Sequence, residues 1–417
     1  MYLQREDYAR EGIYSFSHFL VIVLIISLAL FSFKKQVFGI LIGLVPLTNI
    51  PVASPGIALL FQGTVSLLFF SVLLQNVQWK KSASFKMRVA WFLIAYLVVS
   101  GLVTTINLWD PTKDWLKVIF ITLIKTAVPI ACIAIVAEKS NLIKIDQVSF
   151  KNGAKYQAAT ILVLISSIFY QYLAGYNEPL GPYCYNSMFF QTRLTLGFCS
   201  PNELGLWCAG VFPYIIRWAK QKSFIMKLTV WPLFLMVCFY SGSRGVIISL
   251  AVVLLAILVF KKNISFPILI LGSALAVTVV LSSSLRNEGL LSIDSRQEDF
   301  ASVIQLLLER PEKMIFGCGF GISGYDHPQP HNMILDILYN IGIIGCALYV
   351  FFICDLLYRL HRSGATAFFS VIGVLAFGVG HACWTSWLFY YFILLAFIDS
   401  RFEKNLPSKT KLVPCYV

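Results

Sequence analysis

A chain of 417 residues that is 58% hydrophobic and only 13% charged, with a mean hydropathy of +0.77, is excluded from the class of ordinary soluble globules. Its net charge of +13 does not mark a nucleic-acid binder, because the lysines and arginines fall in short loops between apolar runs, the positive-inside pattern of a polytopic membrane protein. The ten cysteines form no CxxC pair and no metal-ligand spacing, so a metal centre is not expected.

The elements expected in chain order are apolar helices near 16–33, 37–50, 56–77, 89–108, 115–137, 157–173, 204–219, 225–240, 245–260, 264–283, 332–356, 365–383 and 385–399, since only helices and closed barrels cross a bilayer and these runs have the length of spans. The first reads as a span rather than a cleavable leader, because Lys34 and Lys35 follow it with no small-residue cleavage site. The run 37–50, broken by Pro46 and followed by Pro51 and Pro55, reads equally as re-entrant. The expectation is an all-α transmembrane bundle of about 12 spans in one integral membrane domain, with a long loop at 284–331 that contains a short amphipathic helix.

Basic clusters at Lys80–Arg88, Lys139–Lys155, Arg217–Lys222, Lys261–Lys262, Arg359–Arg362 and Arg401–Lys404 alternate with the other loops. They place those six groups and the C-terminus in the cytoplasm, and leave the N-terminus undecided. The remaining loops then face the opposite side and carry Arg193, Arg244, Arg296 and His331. Cys184 and Cys199 lie in or beside one of these loops, where a disulfide would persist; the other cysteines read as small apolar residues within spans.

An arginine at the outer edge of a span either snorkels to headgroups or binds an anion, and three of them with a histidine on one face favour the anion. Ser243-Arg244-Gly245 stands at the mouth of a helix beginning near Val246, so backbone N–H groups and a guanidinium share a positive helix end. Ser295-Arg296-Gln297-Glu298 fits a capping box, followed by an apolar face from Phe300 to Leu308 that Pro311 ends; Arg296 thus opens a helix lying along the membrane surface. Gly317, Gly319 and Gly321 either admit a diphosphate to the backbone or merely form turns. His331 enters a span behind Pro328 and Pro330, where an imidazole can take a proton near neutral pH; His327 is its neighbour and competitor. Asn332 either orients it or caps the helix. His18, His361 and His381 lack arginine company and read as structural. Lys125, central in a span, either meets a lipid diphosphate or pairs with an acid in the bundle.

These motifs resemble the bacterial O-antigen polymerase and ligase superfamily. Ser243-Arg244-Gly245 is similar to its Ser-Arg-Gly turn, and His331-Asn332 through Gly342 and Gly345 to its loop-ending His-Asn with a glycine-spaced helix. Arg296, Pro311, Gly317, Gly319 and Gly321 resemble its loop pattern, and Arg193 to Phe198 with Pro201-Asn202 the motif many polysaccharide polymerases carry before a span. The likeness covers mainly residues 193–345. It implies an inverting, metal-independent and cofactor-free transfer of a glycan from undecaprenyl diphosphate at the periplasmic face of the inner membrane. On this resemblance Arg193, Arg244 and Arg296 hold the diphosphate, His331 is the base, and Asn332, Gly317, Gly319, Gly321 and Lys125 support them. Partners would be the lipid-linked donor and acceptor, the bilayer, and a chain-length regulator and flippase. The Arg193 motif favours polymerase over ligase. A flippase would place ionisable groups along a midplane path and show repeated halves, whereas only Lys125 is central and no repeat is visible. A metal-dependent transferase would want loop acids, for which Asp110 and Asp114 are candidates, though a solvated turn around Pro111 explains them more simply.

Overall fold

The structure, a computed structural model, describes residues 42–43, 45, 87–107, 115–138, 152–153, 155–162, 165–166, 173, 184–187, 190–194, 200–220, 223–261, 289–320, 330–361 and 365–404. The expected spans at 16–33, 56–77 and 264–283 fall outside these residues, as do nearly all of 37–50, much of 157–173, and Asp110, Asp114, Cys199, Gly321 and His327.

The described elements are α1 (Arg88–Asn107), α2 (Trp115–Glu138), β1 (Cys184–Ser187), β2 (Phe190–Leu194), α3 (Pro201–Lys220), α4 (Phe224–Ser241), α5 (Arg244–Lys261), α6 (Gly289–Glu309), α7 (Pro311–Phe316), α8 (Met333–His361), α9 (Ala365–Gly380) and α10 (Trp387–Lys404). Helix dominates, as the apolar runs predict. Two of these helices, over Arg88–Ile106 and Met333–His361, are long and apolar enough to cross a membrane. Along α1 the side chains of Phe92, Val99, Leu102, Val103 and Ile106 point outward and are half or more exposed, which water would penalise and lipid would not.

The chain divides into two compact units. The first, comprising 1–80, 142–204 and 239–242, holds the departure from all-helical structure. There β1 and β2 pair antiparallel with Tyr185 opposite Arg193 and a bulge between Tyr185 and Ser187. In the same unit the Thr160 hydroxyl donates to the Gly43 carbonyl at 3.1 Å.

The second unit, comprising 81–141, 205–238 and 243–417, is a helix bundle with α9 at its centre, against α5, α8 and α10. Helix α9 lies close to α3, where the Ser370 hydroxyl donates to the Gly210 carbonyl at 2.6 Å. Small residues allow this approach: a Cβ at Gly373 would stand 2.6 Å from the Ala209 carbonyl oxygen, the packing logic of helices in lipid.

One end of the bundle gathers Phe260, His361 and Phe368, with ring centroids 5.2–5.4 Å apart. The other end gathers the starts of α5 and α8 and the end of α9, because Met333 packs under Gly378 and Phe377 against Gly245. The sequence assigns Lys261 and Arg359 to one membrane face and Ser243–Gly245 and His331 to the other; the helices carry those groups to opposite ends.

Helix α6 corrects the capping-box reading. It begins at Gly289, ahead of Ser295, because Leu290, Leu291 and Ile293 extend the apolar pattern upstream, so Arg296 lies inside the helix rather than opening it. It also does more than lie along a surface. Val303 and Leu307 are buried against Leu335 and Tyr339 of α8. The stop at Pro311 holds: Arg310 leaves helical geometry at φ −130 and ψ 85, and Pro311 then starts α7, as the restriction on a residue before proline requires.

Candidate functional site

At the α4–α5 junction Gly242 takes φ 58 and donates its N–H to the Phe239 carbonyl at 2.9 Å, which ends α4 with a left-handed residue. Ser243 follows, buried, and its carbonyl accepts the Val246 N–H at 3.2 Å. Helix α5 therefore begins at Arg244, within a residue or two of the expected place.

The His331-Asn332 pair stands at the start of α8. Asn332 Oδ1 accepts from the Ile334 and Leu335 N–H groups at 2.9 and 3.2 Å, an N-cap that satisfies two orphan donors. Its Nδ2 donates to the Val379 carbonyl at 2.9 Å. Of the two expectations for Asn332, capping is the one with hydrogen bonds behind it, and the same side chain ties the start of α8 to the end of α9. One residue further along α9's exit, a Cβ built on Gly380 would stand 3.4 Å from the Gly245 Cα. The α9 terminus thus touches both motif-bearing helix starts, through Val379 on one side and Gly380 on the other.

Below His331 lies a buried polar cluster that the sequence reading missed. Asp336, 2% exposed, accepts the Trp384 indole N–H at 2.6 Å and the Asn340 amide at 3.1 Å. Asn340 also donates to the Asp336 carbonyl at 2.8 Å. Nothing at the sequence level pairs residues this far apart, although a lone acid in an apolar run is a signal that a partner exists. Replacing Asp336 with leucine keeps the bulk but leaves the Trp384 donor and one Asn340 donor unpaired, an expected cost of about 2–6 kcal/mol at about 1–3 per buried group. Asp336→Asn should recover most of it. Thermal unfolding in detergent measures both, and equal Tm values for Asp336→Leu and wild type would show the cluster to be energetically idle.

The glycine loop after α7 is occupied by packing. The N–H of Gly317 donates to Lys313 at 2.7 Å and that of Cys318 to Tyr339 at 2.7 Å, while that of Phe320 donates to the Thr104 hydroxyl at 2.9 Å. Phe320 is fully buried, its ring 5.9 Å from that of Trp384. These bonds fit the turn reading of Gly317 and Gly319, because three of the loop's donors are already used within the fold.

Burial pushes the Cys318 thiol up from its ordinary value, with Lys313 opposing. The shift favours the neutral thiol at Cys318.

Arg244 and His331 are brought to one end of the bundle by these contacts. Arg296 belongs to the same unit, on α6, and Arg193 to the other unit, in β2. Lys125 sits along α2, half-buried, and no carboxylate among the described residues pairs with it. No metal-ligating cluster of three or more His, Cys, Asp or Glu occurs among the described residues. Neither a protein-family profile nor a curated protein matches this chain.

Proposed function

We propose that this chain is an inner-membrane glycosyltransferase of about 12 spans that polymerises undecaprenyl-diphosphate-linked repeat units at the periplasmic face. The observation that carries the reading is the meeting of two helix starts, Ser243–Gly245 and His331–Asn332, at the end of α9. Two positive helix ends brought beside the end of α9 suit an anionic leaving group. The outward apolar face of α1 supports the membrane setting.

In the proposed reaction a sugar hydroxyl of the acceptor attacks the anomeric carbon of the donor. The new carbon–oxygen bond forms as the bond to the diphosphate breaks, and the lipid diphosphate leaves with the electron pair. Direct displacement inverts the anomeric centre. His331 takes the hydroxyl proton, and Arg244 and Arg296 stabilise charge on the departing diphosphate without a metal.

Purified full-length protein in detergent, given a lipid-diphosphate-linked repeat unit and a chelator, should elongate it. A pure flippase has no reaction to perform without a sealed compartment, and a metal-dependent enzyme would stop. Arg244→Lys keeps the charge but loses the bidentate fork, and should lower the rate about tenfold or more. Normal rates in that variant would reduce Arg244 to a membrane anchor.

A further inference from the structure

His381 reads as structural in the sequence because no arginine lies near it in the chain. The fold changes its company. It is the first residue after α9, partly exposed, with its ring 5.9 Å from that of Phe377 at 74°. Phe377 in turn lies against Gly245: a Cβ there would meet its ring at 2.9 Å. The residues just before His381 are the two that hold the site together, Val379 bonded to Asn332 and Gly380 set on the Gly245 backbone. After it, Cys383 packs on Met333 at 3.9 Å and Trp384 bonds Asp336. The connection from α9 to α10 is thus anchored on both sides, with His381 between the helix start that carries Arg244 and the one that carries His331.

We propose that His381 is a further substrate-binding residue, whose imidazole donates a hydrogen bond to the diphosphate of the lipid-linked donor. The inference rests on the proposed glycosyltransferase reading and deepens it. An imidazole is suited to this position because it can donate from either nitrogen and can carry charge near neutral pH. The connection that carries it is held by the contacts of Val379, Gly380, Cys383 and Trp384, so the ring is restrained rather than recruited from a free loop.

The test is equilibrium binding of undecaprenyl diphosphate, and of uncharged undecaprenol, to the full chain in nanodiscs. His381→Ala should weaken diphosphate binding about tenfold, the loss of one hydrogen bond to a charged group, and leave undecaprenol binding within about twofold. His381→Phe, which retains the ring against Phe377, should behave like the alanine variant, and His381→Lys should return to within about threefold of wild type. Wild-type affinity in His381→Phe would assign the residue to packing alone, and a parallel loss for both lipids would assign the effect to a disturbed fold; either outcome overturns the inference. A wild type that binds the two lipids equally well overturns the glycosyltransferase reading itself, which is a different result from failure at His381.

Discussion

Replacing His331 with alanine should, on the proposed glycosyltransferase reading, lower glycan transfer by about 10²–10⁴-fold, the usual worth of a positioned general base. The fold should survive the change. His331 is partly exposed and lies outside α8, whose cap is Asn332 rather than the histidine, so the melting temperature should remain close to that of wild type. The readout in the native strain is the surface polysaccharide ladder on a gel. A polymerase without its base leaves lipid A-core capped with a single repeat unit; a ligase without its base leaves the core uncapped. The two acceptors are thereby separated by one variant. An unchanged ladder would remove His331 from the chemistry, and a lost ladder with a lost melting transition would move its role to the fold.

Much of the helical frame was legible because a span must satisfy all its backbone hydrogen bonds within itself, so hydropathy and length almost dictate it. The runs 89–108 and 115–137 match Arg88–Asn107 and Trp115–Glu138, and Pro311 ends a helix where its missing N–H says it should. Signals that depend on local chemistry were weaker. Ser295 and Glu298 have the spacing of a capping box, yet the backbone continues through them to Gly289, because apolar residues upstream extend the pattern. The hairpin of Cys184–Ser187 with Phe190–Leu194 carries no clean alternation of polar and apolar residues and read as loop. What could not be read at all was long-range pairing. Asp336 finds Trp384, and Gly380, one residue before His381, meets the start of α5, only after α9 is packed in the bundle. The candidate site was therefore legible as a set of motifs and not as a set of neighbours.

Gly342→Ala should be the most destabilising single-carbon change in the second unit. Gly342 breaks α8 into two helical pieces at φ 66 and ψ −173, a backbone region that is essentially restricted to glycine and costs about 1–3 kcal/mol for other residues. The sequence marked Gly342 and Gly345 only as the spacing of a glycine-spaced helix; the break is a consequence that spacing does not reveal. It opens the hydrogen-bond ladder, and the freed carbonyls find outside partners: Tyr339 O accepts from Cys318 N–H at 2.7 Å and Ile341 O from the Tyr96 hydroxyl at 2.9 Å. A Cβ at Gly342 would stand 2.2 Å from the Ile315 carbonyl oxygen and 2.5 Å from the Gly317 nitrogen, both backbone atoms that cannot rotate away. The loop after α7 would have to lift, and the bond from Cys318 to Tyr339 would go with it, at about 0.5–1.5 kcal/mol. The expected sum is about 1.5–4.5 kcal/mol, a sizeable part of an ordinary stability of about 5–15. Val350→Ala, on the same helix and 48% exposed, is the control and should shift stability by less than about 0.5–1 kcal/mol. Because His331 and Asn332 directly precede the piece of α8 before the break, transfer on the proposed reaction should fall in Gly342→Ala even at temperatures where the protein remains folded. A Gly342→Ala protein that melts with wild type would mean that α8 can run straight through this position, and the glycine would then have no part in placing the helix start.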